Sequence, residues 1–346
     1  MPRPVLERAR EEMLSLGDAG MSVMEMSHRS SRFGEVLENA EAGLRSILAV
    51  PGDYRILFIQ GGASLQFSMV PMNLLVKNKT ADYVVTGAWG EKAIEQARLF
   101  GQPNEIYSSK DTRFTTIPAQ NELSFSPDAA YVHYTSNETI DGVEFPYDLE
   151  AGGLPVICDA SSNILSKPID ISKYALIYAG AQKNIGPSGV SVVIIRDDML
   201  DRIPDGLPTM LDYRSFAAND SMPNTPNTWA IYLIGLVCEW LETKGGLPGI
   251  GEINRRKAKV LYDAIDSSDG FYKGCAERNA RSLMNVTFRL PNEDLENEFA
   301  SQAEAAGLDG LRGHRSVGGI RASIYNAFPE EGVHRLAEFM DAFSRA

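Results

Sequence analysis

Cysteine is scarce in this 346-residue chain: Cys158, Cys238 and Cys275 stand far apart, with no CxxC pair and none of the density of a disulfide scaffold. Each lies in or near an apolar run and reads as a buried thiol. There is no HExxH, and the four histidines are too dispersed for a local ligand motif, so no metal is expected. Basic residues are in the minority, 33 against 46 acidic ones, for a net charge of −13. Phosphate-backbone binding needs the opposite balance, so nucleic acid is not an expected partner. No apolar run is long enough to span a membrane, and the opening MPRPVLERAREEML is charged, helical in pattern and without an apolar signal core. The expected location is the cytoplasm, with no membrane contact.

What the chain does have is alternation. Val36, Leu37, Ala40, Leu44, Ile47 and Leu48 recur at helical spacing until Pro51-Gly52. Strand-like runs follow at 56–59, 83–85, 130–134, 155–158, 175–178 and 190–195, with helical patterns at 65–75 and 91–100. Asn137 to Gly142 reads as a turn, with Asp141-Gly142 its strongest cue. Such an α/β pattern predicts a largely parallel sheet covered on both faces. Gly245 to Gly251 is the best candidate boundary, dividing a large domain (1–251) from a small one (252–346). The second part offers a helix (252–265), a strand (283–290), a helix (294–306), a Gly/Arg-rich stretch and a closing helix (330–343), the content of a small α+β domain.

Four features carry possible chemistry. Lys183 lies past an apolar strand in a Gly/Ala-rich turn (175–189), a partly desolvated place where an amine is less firmly protonated. On that motif alone a solvated loop lysine is the plainer reading. Asp159 ends the run 155–158, and a carboxylate at a buried strand's carboxyl end needs a partner. It can keep a pyridinium nitrogen protonated or cap the Ser161-Ser162 turn. Asp159 and Lys183 are separated by one strand, a spacing that suits neighbouring strand ends facing one ligand. Gly61-Gly62-Ala63-Ser64, between strand and helix, can cradle a phosphate or simply turn the chain. Trp89, in Thr86 to Gly90, can stack on a flat ring or pack as core. Beyond these, His28-Arg29 and His314-Arg315, with Arg321 nearby, suggest a substrate carrying more than one negative group. His133 and His334 read as structural.

In this order the motifs MSHRS (26–30), GGASLQFSMVPMNLL (61–75), TGAWG (86–90), HYTSNETIDGVEF (133–145), CDASS (158–162), GAQKNIGPSG (180–189), SMPNTPNT (221–228) and GHRSVGGIRASIYNA (313–327) are highly specific. The chain resembles, over essentially its whole length, the class V aminotransferases of pyridoxal-phosphate (PLP) fold type I, and within them the phosphoserine aminotransferases. That resemblance implies a mixed, mostly parallel seven-stranded sheet between helices. It also implies PLP joined to Lys183, paired with Asp159 and stacked on Trp89, with Thr139 near its phenolic oxygen. Ala63, Ser64 and Gln182 would hold the cofactor phosphate. Asn224 and Thr225 would reach that phosphate from the partner subunit of a homodimer. Arg321 would hold the substrate α-carboxylate, and Arg29, His28, His314 and Arg315 the distal anion.

The implied reaction exchanges an amino group between glutamate and 3-phosphohydroxypyruvate, giving 2-oxoglutarate and O-phosphoserine. Some relatives also use a phosphorylated hydroxythreonine of vitamin B6 synthesis. Two departures from the family pattern stand out. Members begin with a segment of the form F-N-F-S-x-G-P-x-x-L-P, of which Met1-Pro2 resembles the end, and Ser64 stands where some members carry arginine. The nearest rival, a cysteine desulfurase, requires an exposed thiol, for which only Cys275 is conceivable.

Overall fold

The computed structural model describes residues 1–75 and 79–345. It opens with α1 (Arg3–Glu11), which carries a proline in its first turn, where no intrahelical N–H is needed. In α2 (Ser31–Ile47) the Ser30 hydroxyl caps the helix by accepting from the Phe33 N–H. Then β1 (Tyr54–Gln60) leads into α3 (Ala63–Leu74), β2 (Asp82–Val85) into α4 (Ala88–Ala97), and β3 (Asn104–Ser108) follows. After β4 (Val132–Thr135) comes a small hairpin of β5 (Asn137–Glu138) and β6 (Val143–Glu144), then β7 (Val156–Asp159), β8 (Leu176–Gly180) and β9 (Val190–Arg196). Short α5 (Asp197–Leu200) and α6 (Tyr213–Ala218) precede the buried α7 (Thr228–Thr243) and the long α8 (Gly246–Asp266). The chain closes with β10 (Lys273–Gly274), β11 (Asn285–Arg289), α9 (Glu293–Ala305), β12 (Ile320–Ser323) and α10 (Glu330–Ser344).

Seven strands form one sheet in the order β1-β9-β8-β7-β4-β2-β3. Pairs among β3, β2, β4, β7 and β8 are parallel, while β9 runs antiparallel to both neighbours. The expected largely parallel sheet is therefore mixed, through one reversed strand. Side chains alternate across each strand, so the sheet feeds two cores. Ile56, Phe58, Val192 and Ile194 pack with α2 and α7 on one face; Leu57, Ile59, Val193 and Ile195 pack with α3 and α4 on the other.

Three local expectations need correction. Asn137 and Glu138 are not turn residues but pair as a strand with Val143 and Glu144, leaving 139–142 as the turn. The helix expected from residue 252 already begins at Gly246, because Pro248 falls in its first turn and does not interrupt it. Residue 251 thus lies inside a helix. The Gly/Arg-rich stretch contains β12, which pairs antiparallel with β11 in a three-stranded sheet packed on α8, α9 and α10 around Phe288, Phe299, Val286 and Met340. Among the described residues no helix is long and apolar enough to cross a membrane.

Candidate active site

With β9 reversed between them, β1 and β8 point the same way, and so the carboxyl ends of β1, β2, β4, β7 and β8 share one edge. Ligand crevices in open α/β sheets form at this edge. The loops that leave it carry the expected residues. β1 delivers Ala63 and Ser64, β2 delivers Trp89, β4 and its hairpin deliver Thr139, β7 ends on Asp159, and β8 runs into Gln182 and Lys183.

Lys183 is the centre of the arrangement. Its Nζ donates to Thr139 Oγ1 at 2.9 Å and lies 5.8 Å from the centre of the Trp89 ring. Burial lowers the amine below its ordinary value; Asp159 and Glu138 oppose that shift, and the Arg321 charge adds to it. Asp159 is buried, and burial raises its carboxyl, opposed by the hydrogen bond from Ser161 and by Lys183. Its Oδ1 accepts from the Ser161 N–H at 2.9 Å, so the turn-capping role is present as well. One carboxylate oxygen holds the turn, which leaves the other for a ligand. These two readings of Asp159 are compatible.

At the start of α3 the Ala63 and Ser64 N–H groups have no intrahelical partner, and Gly62 at the cap has no side chain to satisfy them. Gly61 adopts φ +98°, which a side chain would strain, and lets the chain turn directly from strand to helix. Ser64 and Gln182 are exposed beside it. Trp89 Nε1 is a buried donor without a protein partner. A lowered amine, a buried acid one strand away, a partly buried indole and an uncapped helix start fit a flat, phosphorylated aldehyde such as PLP.

Arg321 lies on β12, and its charge acts on the Lys183 amine. Its Nε is buried with no partner. It lines a cavity of about 690 Å³ together with Arg289, Lys273, Arg113 and Lys110, against one acidic residue, Asp141. Such a wall attracts anions although the chain as a whole is acidic. His314 donates to or accepts from Ser316 Oγ at 2.6 Å; burial and the charges of Arg321, Arg315 and Lys92 lower its imidazole. His28 and Arg29 lie in the turn before α2, and no hydrogen bond or ion pair among the described residues joins them to this group. Asn224 and Thr225 are exposed, and Gln60 Nε2 at the end of β1 donates to Asn224 Oδ1 (2.9 Å) and to the Thr225 carbonyl (2.8 Å).

Sequence reasoning passed over Glu138 and Tyr325. Glu138 is fully buried and accepts from the Trp89 and Gly90 N–H groups. The Tyr325 hydroxyl accepts from Asn285 Nδ2 at 3.1 Å, and the same Asn285 side chain accepts from Asn137 through Oδ1, which ties the small sheet to the hairpin that carries Thr139. Glu138 left a trace in the sequence: the two glycines flanking Ala88-Trp89 mark a place where something must approach closely. His133, as expected, is structural. It is buried between Tyr83 and Tyr178 with Nε2 2.9 Å from the Tyr178 hydroxyl, and burial pulls its imidazole down to about 3. Cys158 and Cys238 are buried; Cys275 is partly exposed and lines the cationic cavity, with burial raising its thiol. A reactive thiolate would need the opposite shift.

A model of the aminotransferase class-V family matches residues 1–336. The chain belongs to the class-V aminotransferases. It is accordingly an aminotransferase, and its cofactor is pyridoxal phosphate. A phosphoserine aminotransferase of Geobacillus kaustophilus is 55% identical over 100% of this chain and 96% of that protein. One from Pseudomonas entomophila is 54% identical over 100% and 95%. Among solved structures, the phosphoserine aminotransferase of Bacillus circulans subsp. alkalophilus superposes with a TM-score of 0.98 at 49% identity, over 100% of this chain and 96% of that one. The PLP-bound phosphoserine aminotransferase of Trichomonas vaginalis gives 0.94 at 40% identity, over 99% and 97%. The implied fold, a seven-stranded mixed sheet with a small C-terminal α+β unit, is the one observed.

Proposed function

We propose that this aminotransferase exchanges an amino group between L-glutamate and 3-phosphohydroxypyruvate, giving 2-oxoglutarate and O-phospho-L-serine for serine biosynthesis. The observation that carries the reading is the cationic cavity lined by Arg321, whose charge also acts on the lowered amine of Lys183. Both amino donors bear a second anion, so one basic wall serves both half-reactions. The phosphoserine aminotransferases at 54–55% identity support the same choice.

PLP, when bound, supplies an electron sink that makes the substrate Cα–H acidic. The protein does the rest. Lys183 Nζ would hold the cofactor and would move the proton at the substrate Cα, a task suited to an amine whose pKa burial has lowered. Asp159 keeps a proton on the pyridine nitrogen; the Trp89 indole stacks on the ring; the Thr139 hydroxyl orients Nζ. The start of α3 at Ala63 and Ser64, with Gln182, binds the phosphate through N–H groups and helix dipole. Arg321 grips the α-carboxylate, and the other cations lining the same cavity strengthen the attraction for an anion.

Arg29, His28, His314 and Arg315 hold the distal anion in this reading, and Asn224 and Thr225 bind the partner's cofactor phosphate in a homodimer. The exposure of Asn224 and Thr225 supports a site completed between subunits. We further propose a large domain of residues 1–251 and a small one of 252–346, supported by a separate apolar core that begins at Ala258, and a cytoplasmic location, supported by three unpaired cysteines.

An absorbance scan of the PLP-loaded protein tests the substrate. The visible cofactor band should collapse on adding O-phosphoserine and return with 2-oxoglutarate. A band indifferent to phosphoserine would refute the substrate and leave the cofactor site standing. Adding the phosphorylated hydroxythreonine to the same cuvette tests the second substrate some relatives use.

A further inference from the structure

The three residues Asn137, Glu138 and Thr139 hold three parts of the site at once. Asn137 Nδ2 donates to Ser162 Oγ at 2.7 Å and to Asn285 Oδ1 at 2.9 Å, and Thr139 Oγ1 accepts from Lys183 Nζ. Between them the buried Glu138 carboxyl turns to a different element. Its Oε2 accepts from the Trp89 N–H at 3.0 Å and its Oε1 from the Gly90 N–H at 2.8 Å. These are donors that the start of α4 leaves unsatisfied, and Gly87 at the cap has no side chain to serve them.

The space for this carboxyl is built into the chain. A Cβ on Gly87 would lie 2.4 Å from Glu138 Cδ, and one on Gly90 3.3 Å from Oε1. The backbone of Gly87 is extended, at φ 176°, which any residue adopts. The missing side chain therefore makes room for Glu138 and answers no demand of the backbone. Burial, with Asp141 and Asp159 nearby, pushes the Glu138 carboxyl up to about 8, and the two N–H donors pull it back. Both oxygens accept from N–H groups, the geometry of the ionised form, and bonds from a helix start to a carboxylate are among the stronger hydrogen bonds.

We propose that Glu138 is a positioning residue for the cofactor ring: it docks the first turn of α4 onto the Thr139–Lys183 pair and so sets the Trp89 indole against the ring that Lys183 carries. The inference rests on the stacking role assigned to Trp89 above. Glu138 and Thr139 are consecutive, so their backbones are one peptide unit apart. Whatever moves the indole's anchor moves the lysine's hydroxyl partner with it.

Titrating PLP into the full-length apoprotein tests this, with affinity read by equilibrium dialysis and by quenching of tryptophan fluorescence, and folding by circular dichroism. Three variants are compared. E138Q keeps the size of the side chain but offers one acceptor and turns an NH2 toward the second N–H. G87A expels the carboxyl by contact alone, and W89A removes the indole. E138Q and G87A are each expected to raise the PLP Kd at least tenfold, about 1.4 kcal/mol, with folding retained. The double variant should add little to either single one, since both remove the same contact. Wild-type affinity and quenching in E138Q, beside a weakened W89A, would overturn the role of Glu138 alone. Unchanged affinity in W89A would overturn the stacking role and this inference together. Loss of folded signal in both E138Q and G87A would also overturn it, because Glu138 would then be serving the fold.

Discussion

Replacing Thr139 by valine removes one hydroxyl from beside the reactive amine and little else. Valine matches threonine in shape, and Thr139 is buried, so the change is chemical more than steric. The lost bond runs from Lys183 Nζ to Oγ1 at 2.9 Å and favours the ammonium form over the amine. A hydrogen bond to a charged group contributes about 1.5–3 kcal/mol, and one pKa unit corresponds to about 1.36 kcal/mol. The Lys183 amine, already lowered by burial, should therefore fall further. The assay is the rate at which the apoprotein captures PLP, followed by stopped-flow absorbance as a function of pH. Capture requires the free amine, so the rising limb of the T139V profile should shift to lower pH, while T139S stays near wild type. A limb that does not move would refute the reasoning, since Thr139 would then not be what holds the proton on Nζ. The stability consequence has a definite sign. Lys183 is lowered in the folded protein, so the unfolded chain binds more protons between the folded value and 10.5, and stability rises with pH across that window. T139V should widen the window at its acid end.

Lys183→Ala should retain some PLP non-covalently and lose transamination; appreciable steady-state turnover would sink the assignment of this lysine. Lys257 is buried and donates to the carbonyls of Ile324 (2.9 Å), Tyr325 (2.8 Å) and Phe328 (3.1 Å), so Lys257→Met orphans three acceptors and should cost about 3 kcal/mol or more in urea unfolding at neutral pH. Burial lowers the Lys257 amine to about 8, so its charging penalty is complete below that pH and fades toward 10.5. Wild-type stability should thus rise between pH 8 and 10 more steeply than that of K257M, and equal slopes would contradict this. Cys275→Ala should leave amino-group transfer near the wild-type rate, as a raised, partly exposed thiol does no chemistry here. A sulfur-transfer activity of the wild type that is lost altogether in that variant would revive the desulfurase reading.

The large sheet was legible because its strands are apolar runs bounded by turn residues, and Lys183 and Asp159 were legible because they stand at the ends of two of those runs. The edge strand β3 escaped because Asn104 and Glu105 are exposed and the strand has no apolar run to betray it. β12 escaped for a related reason: only Ile320 and Ala322 face the small core, and Arg321 and Ser323 alternate with them in a glycine-rich setting. The direction of β9 cannot be read from its apolar content, since a buried strand looks the same either way up. Trp89, Thr139 and Arg321 carried no decisive local signal and were picked out by resemblance to a family. Glu138 was missed because its partners are backbone N–H groups 49 and 48 residues away, and backbone donors have no letter in a sequence.

The reversal of β9 has a consequence for the lysine itself. Parallel neighbours need a crossover of about a dozen residues or more, whereas antiparallel ones can be joined by a tight link. Gly180 and Ser191 face each other in the ladder, so the loop carrying Lys183 is stitched closed at its base by the sheet's own hydrogen bonds. From that fixed base Nζ reaches Thr139 on its own methylene arm. In the proposed role, where Lys183 would carry the cofactor, lengthening the loop would loosen the base from which the arm extends.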